Sequence, residues 1–475
     1  MASGGGLGPA GANRTPRWFV WAAAALGVAF ALLYQLGVPI RASYGARVNV
    51  DEPFYLLTTV SLLEDGDLDL RNDYALHRYR AFFDHTTELW YQSGPGPGGR
   101  VLSPHNVGLS VLILPAYAAG GVDGVKAFLG VLGGVTVGLC ALVAGRATGR
   151  AGAALLAAGL VGSTAPQLVY ATQIYPELPA GLVLLGCVYV LLGRRRGVRS
   201  AVLLAAGLTA LVWLGSKYAV VGGVVAALGV ARLSVAGRWW LAGLGALSAV
   251  AYAAFHLAVY GGLTPYTVNL VYAGASTPEL VAFHFELWNR LYRLAGLWVD
   301  AEFGLVRWAP LLLLTLPGLA PLIRRHRPVA AVVLGIVGAQ VLVAAFLSIT
   351  MRGWWFPGRM LVPVLPLLAI PLAMALASAR GRATAVVLGG YTMAVTGALV
   401  LAGRAGEVTL AIDPFRLRAP LFQGLAGLFP RYTDYSAATW VLTAAWVTLA
   451  AGLVALPLLP GARAAAVTRT AGANA

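Results

Sequence analysis

Charged residues are scarce in this chain of 475 residues: they make up 11%, whereas hydrophobic residues make up 59%. A soluble domain needs about 25% charged residues to cover its surface, so the composition excludes a mainly soluble protein. Roughly 20 apolar residues are needed for one membrane crossing, which leaves room for about a dozen crossings in a chain of this length. We therefore expect an all-α polytopic membrane protein.

Lysine is almost absent, occurring only at Lys126 and Lys217, and acidic residues are missing from a set of short linkers between apolar runs. These linkers carry arginine instead: Arg14/Arg17, Arg146/Arg150, Arg194–Arg196 with Arg199, Arg232/Arg238, Arg324/Arg325/Arg327, Arg380/Arg382 and Arg463/Arg469. An excess of arginine in short linkers is typical of the cytoplasmic side, so both termini are predicted to be cytoplasmic. The net charge of +16 then reflects topology and contact with lipid headgroups, and no nucleic-acid partner is expected.

Cysteine is also rare, and Cys140 and Cys187 both fall inside apolar runs, so no disulfide framework is indicated. The sequence lacks H-E-x-x-H, C-x-x-C, Walker, G-x-G-x-x-G and G-x-S-x-G motifs, which disfavours zinc, nucleotide and serine-hydrolase sites. The first apolar run is too long for the apolar region of a signal peptide, and we interpret it as a retained first span.

The apolar runs predict about 12 transmembrane helices, near residues 18–38, 124–145, 151–170, 177–194, 199–215, 218–232, 239–260, 305–322, 328–349, 358–378, 384–402 and 438–459. A further run, 107–121, would move every later arginine cluster to the outside if it crossed, so we expect a re-entrant or surface-lying helix there. Segment 53–63 is predicted to be an interfacial helix. These spans divide the chain into two predicted parts. The first, 1–260, has about seven spans and a large outer loop, 39–106. The second, 261–475, has an outer loop, 261–304, and about five further spans.

The polar residues concentrate in the predicted outer segments, and nine of the eighteen acidic residues lie in 39–106. Asp51 and Glu52 are adjacent, and like-charge repulsion raises the proton affinity of each carboxylate, which suits a general base. The alternative is an acidic pair that only favours the dipole of the following helix.

Four other groups lie at the outer ends of predicted spans. Glu177, after Tyr175, and Lys217, before Tyr218, are ionisable residues at span mouths, where the alternative to function is snorkelling at the interface. The turn from Arg352 to Arg359 contains Trp354 and Trp355, which suit either phosphate and sugar binding or an aromatic belt. Asp300 and Glu302 lie where the 261–304 loop re-enters the membrane, and either complete the site or anchor the loop.

His105 could donate a hydrogen bond to a phosphate or a hydroxyl, although a histidine at a helix start is more often a capping residue. Together these carboxylates, cations and aromatic side chains share the outer face. This combination favours a reaction with a membrane-delivered, phosphate-activated donor, in which cations stabilise the leaving phosphate and a carboxylate deprotonates the incoming hydroxyl.

A series of motifs over about three quarters of the chain resembles the GT-C superfamily of polytopic glycosyltransferases, which includes protein O-mannosyltransferases and lipid A aminoarabinose transferases. The motifs are V-D-E-P-F-Y-L-L with D-G-D-L-D-L, S-P-H-N-V-G-L, Y-P-E-L-P-A, W-L-G-S-K-Y-A, D-A-E-F-G-L-V-R-W-A-P and W-W-F-P-G-R-M-L-V-P-V-L-P. The resemblance implies a GT-C-like core in 1–260. It also implies transfer of a sugar from a polyprenyl-phosphate donor to an acceptor hydroxyl on a lipid, glycan or protein, with inversion, at the outer face of a bacterial inner membrane.

By the same resemblance, Asp51 is the catalytic base with Glu52 as a close second, and Lys217 and Arg359 meet the donor phosphate. No cofactor is implied; the many loop acids leave a divalent metal as a disfavoured alternative. The main competing interpretation is a flippase or secondary transporter for a lipid-linked or anionic solute. It predicts ionisable residues at mid-span and an inverted repeat, and the sequence shows neither. An O-antigen-ligase-like enzyme with a diphosphate donor is a third interpretation.

Overall fold

The computed structural model describes residues 16–274 and 286–458, with residues 279 and 282 between them. In this part of the chain the regular secondary structure is helical, apart from one isolated bridge between Pro95 and Val101. The α-helices are Arg17–Tyr34, Glu52–Glu64, Arg71–Ala75, Gly108–Thr148, Ala151–Gly162, Ala165–Tyr170, Glu177–Leu191, Val198–Leu214, Ala219–Arg232, Val235–Tyr260, Tyr266–Tyr272, Arg293–Val299, Leu305–Trp308, Thr315–Arg325, Arg327–Leu342, Ala369–Ala375, Ala379–Arg404, Pro420–Gly424 and Ala437–Ala455.

Six helical segments are long and apolar enough to cross a membrane, namely Arg17–Gly37, Gly108–Thr148, Val235–Tyr260, Arg327–Leu347, Ala379–Arg404 and Ala437–Ala455. Most of the other predicted spans coincide with shorter apolar helices, such as Glu177–Leu191 and Val198–Leu214. The all-α polytopic class is therefore confirmed. Arg14, Arg463 and Arg469, part of the 261–304 loop and the last residue of the 438–459 run lie outside the described residues.

The arginine linkers in the middle of the chain meet at one end of the helix bundle. Arg232 donates to the carbonyl of Leu191 at 2.7 Å and to that of Pro328 at 3.0 Å. The amide of Ser234 donates to the carbonyl of Arg196 at 2.8 Å. Side chains and backbone thus join three linkers that the sequence assigns to one side of the membrane.

Three predicted spans are interrupted where proline or glycine breaks the helix. The run 151–170 divides into helices that end at Gly162 and restart at Ala165. The run 305–322 is interrupted before Pro310, and the run 358–378 begins as a 3₁₀ helix, Arg359–Leu368, that contains Pro363 and Pro366. Proline removes a backbone donor from the helical ladder, so the tighter 3₁₀ form replaces the α-helix there.

The run 107–121 forms a helix that breaks at Gly120 and Gly121, where Gly121 has a φ of 57°. A helix of about 12 residues is roughly 18 Å long, too short for a hydrocarbon core of about 30 Å. Gly108 packs against the backbone of Trp213, and Asp123, just past the break, pairs with Arg47. Both partners lie at the end of the bundle away from the arginine linkers, as expected for a segment that does not cross.

Segment 53–63 is helical as predicted, within Glu52–Glu64, but the protein covers this helix. Residues 52–61 are all buried, and the hydroxyl groups of Thr59 and Ser110 join it to the helix that begins at Gly108. The prediction of a helix lying on the membrane surface is thus corrected to a helix covered by the rest of the protein. Its N-terminus presents Asp51.

Candidate active site

A strained turn positions Asp51. Val50 has a φ of 58°, which is uncommon for a β-branched residue and costs conformational energy. The side chain of Asn49 holds this turn by accepting the amide of Val50 at 2.8 Å. Glu52 fixes its other side, because its carboxylate accepts the amides of Asn49 at 3.1 Å and Ile174 at 2.8 Å. The turn therefore orients Asp51 away from Glu52.

Asp51 is part of a cluster of two carboxylates and two cations from four separate segments of the chain. Arg359 Nη2 lies 2.9 Å from Asp51 Oδ2, and Arg359 Nε lies 2.9 Å from Glu177 Oε1. Lys217 Nζ lies 2.6 Å from the same Glu177 oxygen. Glu177 thus brings the two cations together, and its own side chain is fully buried.

Arg359 is held between aromatic rings as well as between carboxylates. Its guanidinium carbon lies 4.0 Å from the ring centre of Tyr175 and 5.1 Å from that of Trp355. The preceding Gly358 has a φ of 82°, and a Cβ there would lie 2.3 Å from the side chain of Leu305. Only glycine fits this turn without strain, so the turn aims Arg359 into the cluster.

His105 lies on the other side of Asp51. Its ring stacks on Tyr55 at 4.7 Å, and its Nε2 lies 2.9 Å from the amide oxygen of Gln92 and 3.9 Å from Asp51 Oδ1. Burial lowers the pKa of His105, and Arg359 and Lys217 lower it further against the opposing effect of Asp51.

The charge environment of Asp51 keeps its carboxylate ionised. Burial raises the pKa of Asp51, but the opposite charge and hydrogen bond of Arg359, with help from His105 and Lys217, outweigh burial and leave the pKa below its usual value. In the arrangement seen here the carboxylate is ready to accept a proton but is a weak base. A group that draws Arg359 away would raise the pKa of Asp51 and strengthen it as a base.

These groups border a cavity of about 780 Å³. Asp51, His105, Lys217 and Arg359 line one part of it, and Trp355 lies beside Arg359. Glu177 begins a helix of 15 residues whose other end, Leu191, contacts Arg232. At 1.5 Å per residue, the cavity is roughly 22 Å from the arginine linkers, at the opposite end of the bundle.

The structure brings most of the predicted site residues together. Asp51, Lys217, Arg359 and His105 line the cavity, and the buried carboxylate of Glu177 contacts Lys217 and Arg359 from behind. Tyr175 and Tyr218 are buried beside it, under Arg359 and Lys217 respectively; they support the cations and do not line the cavity.

Five predicted site residues lie elsewhere: Glu52, Asp300, Glu302, Arg352 and Trp354. Glu52 is fully buried with both oxygens bound to backbone amides, so its predicted catalytic role is corrected to a structural one. Arg352 lies 3.8 Å from Asp300, which in turn accepts the amides of Glu302 and Phe303. Trp354 is 68% exposed and faces a separate, smaller depression.

Sequence reasoning missed several uncharged lining residues, of which Tyr55, Trp90, Gln92 and Asn269 are examples. Tyr55 had a usable signal, because it lies one helical turn after Asp51 and so on the same face. Trp90 and Gln92 lie on a loop, where spacing gives no direction to a side chain, and Asn269 lies on the short helix Tyr266–Tyr272, which lies outside the predicted spans and carried no charge to draw attention to it.

A second depression, of about 880 Å³, lies between the segment around Tyr292 and the helix Ala437–Ala455. Its described lining residues include Trp288, Tyr435 and Trp440 but no carboxylate, lysine, arginine or histidine. It therefore lacks groups for acid–base or phosphate chemistry, and the charged cavity is the candidate active site.

No protein-family model and no curated protein matches the chain. Among solved structures, ArnT from Cupriavidus metallidurans in the apo state matches with a TM-score of 0.44 and 17% identity, over 90% of this chain and 76% of that one. The structure of ArnT bound to undecaprenyl phosphate matches with a TM-score of 0.43, 14% identity and the same coverage. ArnT is an aminoarabinose transferase, one of the enzymes that the sequence motifs resemble. At these TM-scores the likeness assigns no family to the chain, so its function has to be inferred from the cavity.

Proposed function

We propose that this protein is a membrane glycosyltransferase that moves a sugar from a polyprenyl-phosphate donor to an acceptor hydroxyl. The supporting observation is the cluster in which Asp51 contacts Arg359 and Glu177 bridges Arg359 and Lys217, at the edge of a cavity large enough for a sugar and its phosphate. Anion-binding cations and a carboxylate base thus lie within one cavity.

Lys217 and Arg359 are the groups that bind the donor phosphate. Both cations contact a single oxygen of Glu177. Their positive charges therefore lie close together, and the donor phosphate can bind to both. Arginine binds phosphate through a planar fork and lysine as a point charge. Because the leaving phosphate gains negative charge as the sugar departs, prearranged cations stabilise the transition state more than the bound substrate. This role requires no divalent ion.

Asp51 is the general base. The acceptor oxygen attacks the anomeric carbon, its proton passes to the Asp51 carboxylate, and the bond between that carbon and the phosphate oxygen breaks with both electrons going to the phosphate. A single displacement of this kind inverts the configuration. Donor phosphate that shares Arg359 also weakens the arginine's hold on Asp51, which raises the pKa of the base when it is needed.

The cavity lies at the end of the bundle away from the arginine linkers, and the positive-inside rule assigns those linkers to the cytoplasm. The reaction therefore takes place at the outer face of the cell membrane. There a lipid-linked donor can be delivered through the bilayer, and the acceptor is a lipid, a glycan or a protein.

The test is reconstitution of the purified protein with a panel of polyprenyl-phosphate sugars, comparing the wild type with Asp51→Asn. We expect one donor to be consumed by the wild type and not by Asp51→Asn, while donor binding and thermal unfolding change little. Asp300→Asn is the matched control, because Asp300 is a buried carboxylate near an arginine but outside the cavity. Equal turnover of wild type and Asp51→Asn would remove Asp51 from the mechanism, and failure to consume any donor would refute the proposed activity.

A further inference from the structure

The part of the cavity beyond His105 is built from two outer segments that are bonded to each other. Trp90, Tyr91 and Gln92 come from the first, and Thr264, Tyr266 and Asn269 come from the second. The amide of Gly94 donates to the carbonyl of Val268 at 2.9 Å, and Asn269 Nδ2 donates to the carbonyl of Gln92 at 2.8 Å. These bonds make one continuous wall, which we call the neutral wall.

The aromatic rings of the neutral wall are partly open and are supported by other rings. Trp90 is 37% exposed and packs edge-on against Phe54 and Phe83, with ring centres 5.7 and 5.8 Å apart. Tyr91 is 47% exposed and stacks on Tyr74 at 4.4 Å. An aromatic face is the negative side of the ring, and the C–H bonds on the face of a sugar ring present a weakly positive, apolar surface. Rings fixed in this way are suited to stacking on sugars.

The charge of the neutral wall differs from that of the rest of the cavity. Among the described residues, all the charged groups that line the cavity belong to the cluster around Arg359, whereas the neutral wall has amide, hydroxyl and aromatic groups. A charged acceptor group placed here would lose hydration without gaining a counter-ion, which is costly. A neutral hydroxyl loses little, because amides and hydroxyls can replace its hydrogen bonds to water.

The neutral wall is connected to the proposed base by a short series of side chains. Gln92 Oε1 lies 2.9 Å from His105 Nε2, which lies 3.9 Å from Asp51 Oδ1. A sugar ring stacked on Trp90 or Tyr91 would therefore have hydroxyl groups on the Asp51 side of the cavity. Resting on the function proposed above, we infer that the neutral wall is the acceptor subsite and that the acceptor is an uncharged sugar unit of a glycan.

The test measures binding without turnover. Protein in lipid nanodiscs is titrated with neutral hexose and pentose disaccharides and with counterparts that carry a uronic acid or an amino sugar, and binding is followed by saturation-transfer NMR. We expect a neutral disaccharide to bind best. Trp90→Ala should weaken its binding by about tenfold, equivalent to about 1.4 kcal/mol. Trp239→Ala, which removes a tryptophan 74% exposed at the arginine end of the bundle, should leave binding unchanged.

Tyr91→Ala provides a second variant in case loss of Trp90 disturbs folding, because Tyr91 is more exposed. Absence of any sugar binding, equal binding of the charged counterparts, or full binding by both folded variants would overturn the proposal. Binding of polyprenyl phosphate, measured in parallel, separates this proposal from the proposed function. If the lipid phosphate binds but no neutral sugar does, the acceptor subsite is wrong while the donor site stands. If a neutral sugar binds through Trp90 but polyprenyl phosphate does not bind, the neutral wall is a sugar site while the proposed donor site is wrong.

Discussion

The turn 352–359 has an arginine–aspartate pair at each end, and the two pairs lie in different surroundings. Arg359 is buried, contacts Asp51 at 2.9 Å and shares Glu177 with Lys217 at the edge of the cavity. Arg352 lies 3.8 Å from Asp300, outside the cavity. In the first pair the carboxylate faces a cavity; in the second it accepts amides of the backbone at Glu302, Phe303 and Tyr432. Only the first pair is thus placed where a substrate could reach both partners.

The largest expected effect distinguishes the two arginines. Arg359→Gln leaves Asp51 without its main partner and Glu177 with Lys217 alone. It also removes a prearranged cation from the leaving phosphate, and loss of one such group typically lowers turnover by about a hundredfold to a thousandfold. Arg352→Gln should change turnover by less than about threefold, because the Arg352–Asp300 pair lies outside the cavity and does not contact the cluster around Arg359. Turnover per folded molecule, measured with the donor found in the panel, provides the comparison.

Arg359→Lys sharpens the same comparison. A lysine keeps the charge but cannot contact Asp51 and Glu177 with two separate nitrogens as the guanidinium does, so turnover intermediate between wild type and Arg359→Gln is expected. If Arg352→Gln were as damaging as Arg359→Gln, the distinction between the two ends of the turn would be wrong.

A smaller effect is expected on stability from the second pair. Asp300→Asn removes a carboxylate oxygen that accepts the amide of Tyr432 at 3.3 Å, and loss of a buried acceptor costs about 1–3 kcal/mol. The free energy of unfolding should therefore fall while turnover per folded molecule stays close to that of the wild type. Thermal unfolding in detergent beside the donor assay measures both quantities, and a selective loss of turnover would place Asp300 in the active site after all.

Many helices could be predicted from the sequence, because a segment that crosses lipid must be a long apolar run. The runs 177–194 and 239–260 correspond to the helices Glu177–Leu191 and Val235–Tyr260, since a long apolar run has few alternatives in a bilayer. The breaks near Pro310 and in Arg359–Leu368 were not predicted, because hydropathy is insensitive to the loss of one backbone donor at proline. The covered helix Glu52–Glu64 was missed because its burial depends on segments distant in sequence.

The residues of the charged cluster could be proposed from the sequence where an ionisable residue lies near the end of a predicted span. Asp51, Glu177, Lys217 and Arg359 are all in such positions, where an unpaired charge is costly and a partner is expected. Glu52, Arg352 and Asp300 shared that signal, but sequence proximity does not say which way a side chain points. Trp90, on a loop, and Asn269, on the short helix Tyr266–Tyr272, carry no charge, so only the folded chain shows that they border the cavity.

The most direct test of this account is binding of a polyprenyl phosphate, without a sugar, to wild type, Arg359→Gln and Arg352→Gln. Arg352 lies outside the cavity, so we expect the lipid phosphate to bind to wild type and Arg352→Gln with similar affinity. Its affinity for Arg359→Gln should be at least about tenfold lower, because a charge-assisted bond contributes about 1.5–3 kcal/mol. Unchanged affinity in Arg359→Gln, or an equal loss in both variants, would contradict the claim that the charged cavity is the donor site.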